Sequence, residues 1–212
     1  GVLQKFFGTE ESQAADWEWI FVDDHSSDGS LAVLLEWARV FGYQVIAMPK
    51  HGGKGAAVRA GIAAATGRCI LVQDADEEYN PRADVPRMLR ALQESGADAV
   101  YGNRMAGLRK WSGSAVQYFA NRLLTGFSNH LTGMKLHDME TCYKLMRSPL
   151  LKSMNLTSRR FELEVEITAN LAKAGAQVIE LPISYTARTR AEGKKITWRD
   201  GVAALWYVLK FN

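Results

Sequence analysis

The chain has 212 residues, 47% of them hydrophobic and 23% charged, with 18 Gly, 5 Pro and 2 Cys. This composition is typical of a globular protein with a substantial core, and it excludes disordered, collagen-like and disulfide-rich classes. The net charge of +3 is too small to indicate a nucleic-acid partner, and no apolar run reaches the roughly 18 residues of a membrane span.

Short apolar runs alternate with helical patterns along the chain, which predicts βαβ units around a mostly parallel sheet. Strands are predicted at residues 19–22, 45–48, 69–72, 99–101, 141–146 and 178–181. Helices are predicted at residues 1–7, 31–38, 58–65, 81–94, 117–131, 161–174 and 198–211. Ser27 or Asp28 is expected to cap the helix at 31–38, and residues around Asp84 the helix at 81–94.

We predict a single domain over residues 1–212, ending in an amphipathic segment at residues 198–212. The chain opens in the tail of a predicted helix with no strand before it. We therefore expect that the first strand of the sheet is missing from this chain.

Polar loops follow successive predicted strands, at the carboxyl ends where open α/β sheets bind their ligands. These loops contain Asp23 and Asp24, Lys54 among glycines, Asp74 and Asp76, and Arg104. A mixture of acids and cations at this edge is suited to a nucleotide diphosphate with a divalent ion.

Asp74 and Asp76 follow a buried apolar strand at a spacing of two residues. Their carboxylates would repel each other unless a cation lay between them, and a hard ion such as Mg²⁺ or Mn²⁺ joined to phosphate oxygens serves that purpose. Two solvated aspartates before a helix would have the same spacing. The apolar strand in front of them favours a metal and diphosphate site.

Each of the other loop residues could have either a binding role or a purely structural one. Asp24 can accept hydrogen bonds from a nucleobase or simply favour a helix start. Lys54 can bind phosphate or lie on a tight turn, and its glycine loop lacks the Lys-Ser/Thr pair of a Walker A motif. Arg104 can pair with phosphate or be solvated, and Asp138 can be an ordinary boundary acid.

A basic segment precedes the last helical pattern, with Arg188 and Lys195 at its ends. Together with the Trp-rich stretch at residues 198–211, it can lie on an anionic bilayer surface. The alternative is a helix packed in the core behind a solvated basic turn.

Taken together, these motifs resemble the family-two glycosyltransferases of the GT-A fold, in residues 22–30, 51–61, 74–76 and 102–104. Three further segments are similar to the polyprenyl-phosphate branch, which includes dolichol-phosphate mannose synthase: residues 138–144, 161–164 and 188–195. The resemblance covers almost the whole chain. It implies a Rossmann-like, mostly parallel central sheet flanked by helices.

The resemblance also implies a role for each matching residue. Asp24 matches the aspartate that binds the base, and Lys54 and Arg104 match the nucleotide phosphate region. Asp74 and Asp76 match the aspartates that bind the metal and the diphosphate, and Asp76 is also expected to be catalytic. Asp138 matches a catalytic acid near the acceptor, and Arg188 and Lys195 match cations that bind the acceptor phosphate.

The expected protein is an inverting, metal-dependent glycosyltransferase that moves a hexose from a nucleotide diphosphate sugar to dolichyl or undecaprenyl phosphate. We expect it to use Mg²⁺ or Mn²⁺ and to act in the cytoplasm at the membrane surface, with peripheral membrane contact. Two alternatives remain at this point: a nucleotidyltransferase that makes a sugar nucleotide, and a nucleotide-binding module without turnover.

Overall fold

The computed structural model describes residues 17–106, 113–160, 162–188 and 198–212, the last of these from 203 onward with side chains. The strands are β1 Ile20–Asp23, β2 Gln44–Ala47, β3 Cys69–Leu71, β4 Ala99–Asn103, β5 Lys144–Arg147 and β6 Val178–Pro182. The helices are α1 Ser30–Phe41, α2 Lys54–Ala64, α3 Pro81–Ser95, α4 Ala115–Thr132, α5 Ser148–Ser153, α6 Leu163–Lys173 and α7 Trp198–Phe211. The helix tail predicted at residues 1–7 lies outside the described residues.

Each predicted strand after residue 17 is present, most with bounds shifted by one or two residues. The strand predicted at 141–146 is shorter, since it begins at Lys144 and runs to Arg147. The six-residue helix α5 was not predicted, because it is too short to show a helical period. Within the described part of the chain, no helix is long and apolar enough to cross a bilayer.

The chain divides into two compact units. Of the residues that the structure describes, those within 17–70 and 147–163 form the first unit, and those within 71–146 and 164–212 form the second unit. The single domain expected over residues 1–212 stays a prediction.

In the first unit, β1 and β2 form a parallel pair, with Ile20 opposite Gln44 and Asp23 opposite Ala47. Helices α1 and α2 pack on β1. Contrary to our expectation, neither Ser27 nor Asp28 caps α1, because Gly29 holds the cap position in a left-handed conformation with φ +83°. Asp28 instead accepts a hydrogen bond from the Ser30 amide at 3.1 Å, and α1 begins at Ser30, one residue earlier than predicted.

The second unit is built around β4, which lies between β5 and β6 in its sheet. Strand β4 is parallel to β6, with Ala99 opposite Val178, and antiparallel to β5, with Ala99 opposite Met146. The pairing is therefore mostly parallel across the two sheets, as predicted, with β5 as an antiparallel member. Because β4 is buried along its whole length and α3 packs on it, this strand forms the centre of the core.

Two helices of the second unit, α3 and α4, begin at polar caps. Asn80 caps α3 through its side chain, and Ser114 caps α4 in a capping box with Gln117. The cap predicted around Asp84 is wrong, because the Asp84 side chain is fully buried and accepts a hydrogen bond from the Ser184 amide at 2.9 Å. The partner that decides this role lies 100 residues away in sequence.

Candidate active site

Asp24, directly after β1, binds the glycine loop of the first unit. Its two carboxylate oxygens accept hydrogen bonds from the amides of Gly52 at 2.7 Å and Gly53 at 2.8 Å. The His51 ring nitrogen Nδ1 lies 2.9 Å from Asp24 Oδ2. In this conformation the carboxylate orders the loop, and its predicted contact with a nucleobase stays a prediction.

The glycine loop requires glycine because another backbone segment lies against it. The Gly55 amide donates a hydrogen bond to the Arg159 carbonyl at 2.8 Å, and Gly53 has φ +86°. A Cβ atom at Gly53 or Gly55 would overlap the carbonyl oxygens of residues 158 and 159. Lys54 is the first residue of α2, so it lies at the positive end of that helix.

Asp76, in the loop after β3, lies in a strongly acidic part of the second unit. Its side chain is 12% exposed, and its Oδ1 accepts a hydrogen bond from the Glu78 amide at 3.2 Å. Burial raises the pKa of Asp76, and the neighbouring Asp74 and Glu78 carboxylates raise it further. The alternating acids at 74, 76 and 78 therefore concentrate negative charge that a cation would stabilise.

Arg188 supplies a cation to these acids. Its Nη2 lies 2.9 Å from Asp76 Oδ2, and its Nε donates to Glu78 Oε1 at 3.2 Å. The backbone fixes this position too, because the amides of Thr186 and Arg188 donate to Glu78 at 2.8 and 3.1 Å. Glu78 is not among the site residues predicted from the sequence, although its alternation with Asp74 and Asp76 is a signal that could have identified it.

Asp138 and Arg104 form a buried ion pair in the same unit. Arg104 donates through Nε at 2.8 Å and Nη2 at 2.7 Å, and the Arg104 amide donates at 2.9 Å. Asn121 Nδ2 donates to Asp138 Oδ1 at 2.7 Å. Burial pushes the pKa of Asp138 upward, but the Arg104 guanidinium and the Asn121 amide hold it below its usual range. The carboxylate has no exposed surface, so in this conformation it positions Arg104.

Tyr185 lies between the Arg104–Asp138 ion pair and the acids that Arg188 contacts. The Arg104 guanidinium carbon lies 5.2 Å from the centre of the Tyr185 ring, and the Tyr185 hydroxyl donates to Glu78 Oε2 at 3.2 Å. The structure thus brings Asp76, Arg104, Asp138 and Arg188 into one region. Asp74 belongs to the same unit and is near enough to raise the pKa of Asp76. Asp24 and Lys54 belong to the first unit, and Lys195 lies outside the described residues.

A second buried charge cluster lies close to Asp138. The Lys144 ammonium donates to the Met139 carbonyl at 2.8 Å and lies 4.6 Å from the Tyr101 ring centre. Burial lowers the pKa of Lys144 to about 8, and burial and the Glu164 carboxylate raise the pKa of Glu140 to about 7. These groups interact with each other inside the core, which makes them determinants of stability rather than substrate contacts.

The carboxylates at 74 and 76 have the donor chemistry that a hard divalent cation requires. Mg²⁺ and Mn²⁺ take oxygen ligands, and Mg²⁺ is commonly held by one or two carboxylates together with substrate phosphates. Among the residues that the structure describes, no cluster of three His, Cys, Asp or Glu side chains is arranged to hold a metal alone. The pair therefore fits a metal that binds together with a diphosphate.

The fold is similar to that of solved GT-A glycosyltransferases. Glucosyl-3-phosphoglycerate synthase from Mycobacterium tuberculosis, solved with Mn²⁺, uridine diphosphate and glucosyl-3-phosphoglycerate, matches with a TM-score of 0.68 and 19% identity. The match covers 100% of this chain and 75% of that one. At this identity the similarity concerns the fold, and it confirms the GT-A architecture.

The profile of glycosyl transferase family 2 matches residues 3–154, so the chain belongs to this family. It is 28% identical over 195 residues to undecaprenyl-phosphate 4-deoxy-4-formamido-L-arabinose transferase of Edwardsiella ictaluri, covering 91% of this chain and 57% of the relative. It is 28% identical over 185 residues to dodecaprenyl-phosphate galacturonate synthase of Rhizobium johnstonii, covering 84% and 52%. The chain thus spans little more than half the length of these relatives. The predicted resemblance to family-two glycosyltransferases is confirmed.

Proposed function

We propose that the protein is an inverting glycosyltransferase that moves a hexose from a nucleotide diphosphate sugar to a polyprenyl phosphate. The observation that carries the proposal is the ion pair between Asp76 and Arg188, 2.9 Å apart. It sets a carboxylate suited to a metal-bound diphosphate beside a cation suited to an acceptor phosphate. Similarity to two polyprenyl-phosphate sugar transferases supports the lipid acceptor.

Asp74 and Asp76 would hold a divalent cation, Mg²⁺ or Mn²⁺, together with the donor diphosphate. When bound, such an ion offsets the negative charge that develops on the departing diphosphate. The structure of a GT-A relative with Mn²⁺ and uridine diphosphate supports this assignment.

Three further residues would bind parts of the donor nucleotide. Asp24 would accept hydrogen bonds from the base once its own contacts with the glycine loop rearrange. Lys54, at the positive end of α2, would attract the diphosphate. Arg104, held by Asp138, would present a fixed guanidinium to a phosphate oxygen.

The acceptor chemistry explains why cations matter more than a base. A phosphomonoester with a second pKa near about 6 is already largely anionic at neutral pH, so its oxygen needs no proton removed. That oxygen forms a bond to the anomeric carbon while the bond from this carbon to the nucleotide diphosphate breaks, and the nucleoside diphosphate leaves. Attack from the face opposite the leaving group inverts the anomeric centre.

Arg188 and Lys195 would hold the acceptor phosphate against the charge of the donor diphosphate. Asp138 acts by positioning Arg104, since its carboxylate is buried and paired. A role for Asp138 as a general base would be needed only for a sugar hydroxyl acceptor, which is a poor nucleophile.

A lipid acceptor lies in a membrane, so the enzyme that uses it must act at the membrane surface. We propose that the protein acts at the cytoplasmic surface of the membrane through peripheral contact. Helix α7 supports this contact with Trp206, which is 64% exposed, and Leu209, which is 55% exposed.

Donor binding and transfer test the proposal together. Guanosine and uridine diphosphate sugars are titrated into the protein with Mn²⁺, and transfer is then measured with polyprenyl phosphate in detergent. We expect Asp76→Asn to abolish Mn²⁺-dependent transfer, and Glu94→Gln, on an exposed surface of α3, to leave it unchanged. Equal transfer by Asp76→Asn and the unmodified protein would contradict the proposal.

A further inference from the structure

Glu180 is a mostly buried carboxylate in the middle of β6. Its neighbours along the strand are the apolar residues Ile179 and Leu181, and it lies opposite Tyr101 of the core strand β4. The Glu180 side chain is 10% exposed. A carboxylate with so little contact with water is costly unless donors satisfy its oxygens, so its partners indicate what it does.

The donors to Glu180 are two successive backbone amides and one imidazole. The His137 amide donates to both carboxylate oxygens at 2.9 Å, and the Asp138 amide donates to Oε1 at 3.0 Å. The His137 ring nitrogen Nδ1 lies 2.7 Å from Oε2. The His137 side chain is 62% exposed, and an ion pair so open to water contributes little. The two backbone amides are therefore the main contacts of Glu180.

These amides lie in the connection between α4 and β5, and the amides on either side of them are held as well. The Leu136 amide donates to Asn129 Oδ1 at 3.0 Å, and the Met139 amide donates to Thr125 Oγ1 at 3.1 Å. Asn129 and Thr125 are on α4, whereas Glu180 holds the middle of the connection from β6. Its charge makes it the strongest acceptor of the three.

The connection that Glu180 holds ends in a fixed arginine. Asp138 accepts hydrogen bonds from Arg104 Nε at 2.8 Å, Nη2 at 2.7 Å and the Arg104 amide at 2.9 Å, so both of its oxygens take part. The Asp138 side chain has no exposed surface, and that of Arg104 is 12% exposed. A shift of the backbone at residue 138 would therefore move the guanidinium of Arg104.

We propose that Glu180 is a positioning residue for Arg104, which acts through the backbone and side chain of Asp138. Glu180 fixes the amides of residues 137 and 138, Asp138 presents both oxygens to Arg104, and the guanidinium keeps one orientation before the donor nucleotide binds. A binding group that is already oriented loses less conformational entropy on binding, so the affinity for its ligand is higher. The inference deepens the proposed function, and it rests on it for the phosphate that Arg104 binds.

Amide hydrogen exchange of the full chain, followed residue by residue by NMR, tests the positioning without any ligand. The Arg104 amide donates to Asp138 rather than to Glu180, so its exchange rate reports an effect transmitted through Asp138. We expect Glu180→Ala to speed exchange of the Arg104 amide at least about tenfold, because hydrogen bonds to a charged acceptor are lost. Glu180→Gln keeps one acceptor oxygen for the two backbone amides, so it should change this rate less than about twofold.

Asp98→Ala is the matched control variant. Asp98 also accepts a backbone amide, that of Gln177 at 2.8 Å, and both residues precede their strands at the end away from Arg104. This variant should leave the Arg104 rate within about twofold. The amide of Val100, fully buried in β4, reports general loosening of the unit. An unchanged Arg104 rate in Glu180→Ala, or equal acceleration at Arg104 and Val100, would overturn the inference.

Glu180→Asp gives the same readout if Glu180→Ala does not fold. Its carboxylate is one methylene shorter, so it reaches the two amides less well, and the Arg104 amide should exchange at least about threefold faster. An unchanged rate in this variant would overturn the inference as well.

Nucleotide affinity tests what the positioning does for binding. Uridine diphosphate and guanosine diphosphate are each titrated with Mn²⁺ in a calorimeter. We expect Glu180→Ala to weaken nucleotide binding at least about fivefold, and to have no further effect in the Arg104→Ala background, because both changes act through one guanidinium. Additive effects of the two changes would show that Glu180 acts elsewhere and would overturn the inference.

The two measurements separate failure of the inference from failure of the proposed function. Faster exchange at Arg104 in Glu180→Ala, with neither nucleotide binding to the unmodified protein, would leave the positioning standing and contradict the proposed function. Nucleotide binding that Arg104→Ala weakens and Glu180→Ala does not would do the reverse.

Discussion

The ion pair between Arg188 and Asp76 makes a quantitative prediction about metal affinity. Arg188 contacts the carboxylate that would bind the divalent ion, with 2.9 Å between Nη2 and Oδ2. A metal at Asp74 and Asp76 must displace this guanidinium, because two cations at one oxygen repel each other. Arg188→Ala should therefore raise the affinity of the protein for Mn²⁺ when no nucleotide is present.

The exposure of the pair sets the size of this effect. Opposite unit charges about 4 Å apart attract by about 4 kcal/mol at an effective dielectric constant near 20. The Arg188 side chain is 38% exposed and the Asp76 side chain 12%, so water screens much of this attraction. Partly exposed pairs retain about 1 kcal/mol. We therefore expect Mn²⁺ to bind Arg188→Ala about five times more tightly.

Electron paramagnetic resonance of free Mn²⁺ measures this affinity without any turnover. The titration is run at pH 8, because burial and neighbouring acids raise the pKa of Asp76 and protonation would compete at low pH. Arg87→Ala is the matched control, since Arg87 is 41% exposed and pairs with the buried Asp84 at 3.1 Å. Mn²⁺ binding to Arg188→Ala that is no tighter than binding to Arg87→Ala would refute the predicted competition.

Three further predictions concern stability. Asp138→Asn should lower the free energy of unfolding by about 3 kcal/mol in urea titration, because it leaves the Arg104 side chain 12% exposed and without its counter-ion; a loss below about 1 kcal/mol would contradict the buried pair. Burial raises the pKa of Glu140 from 4.5 in the unfolded chain to about 7 in the folded protein. The stability that protonated Glu140 contributes is therefore fully present below pH 4.5 and is lost as the pH rises through about 7. Glu140→Gln should therefore stabilise the protein more at pH 8 than at pH 4.5, by as much as about 3 kcal/mol, and an equal effect at both pH values would refute this. Gly55→Ala should lower the melting temperature because its Cβ would overlap a backbone carbonyl, whereas Gly126→Ala, in open space on α4, should raise it slightly; equal shifts would contradict the close packing of the glycine loop.

The order of the elements could be predicted because the apolar runs and their periods are local signals. Strands β1, β2, β4 and β6 and helices α4 and α6 lie within a few residues of their predicted bounds. The cap of α1 could not be predicted in the same way, because Asp28 and Gly29 are both good candidates and only the left-handed backbone at Gly29 decides between them.

The charged contacts depend on residues far apart in sequence. Asp138 and Arg104 are 34 residues apart, and Arg188 and Glu78 are 110 apart. Asp138, Arg104 and Arg188 are plausible site residues from the sequence, because they lie before a predicted strand, after one and in a basic segment, but the partner of each follows from the tertiary fold. The exposure of apolar side chains on α4 could not be predicted either, because the helical period shows that an apolar stripe exists but not which way it faces.

Product analysis tests the central claim most directly. The protein, Mn²⁺ and a nucleotide diphosphate sugar that binds are incubated with polyprenyl phosphate, and the lipid and aqueous phases are analysed by mass spectrometry. We predict one hexose added to the lipid phosphate and an equal amount of free nucleoside diphosphate. Release of pyrophosphate with formation of a sugar nucleotide, or transfer to soluble sugars with none to polyprenyl phosphate, would contradict the proposed function.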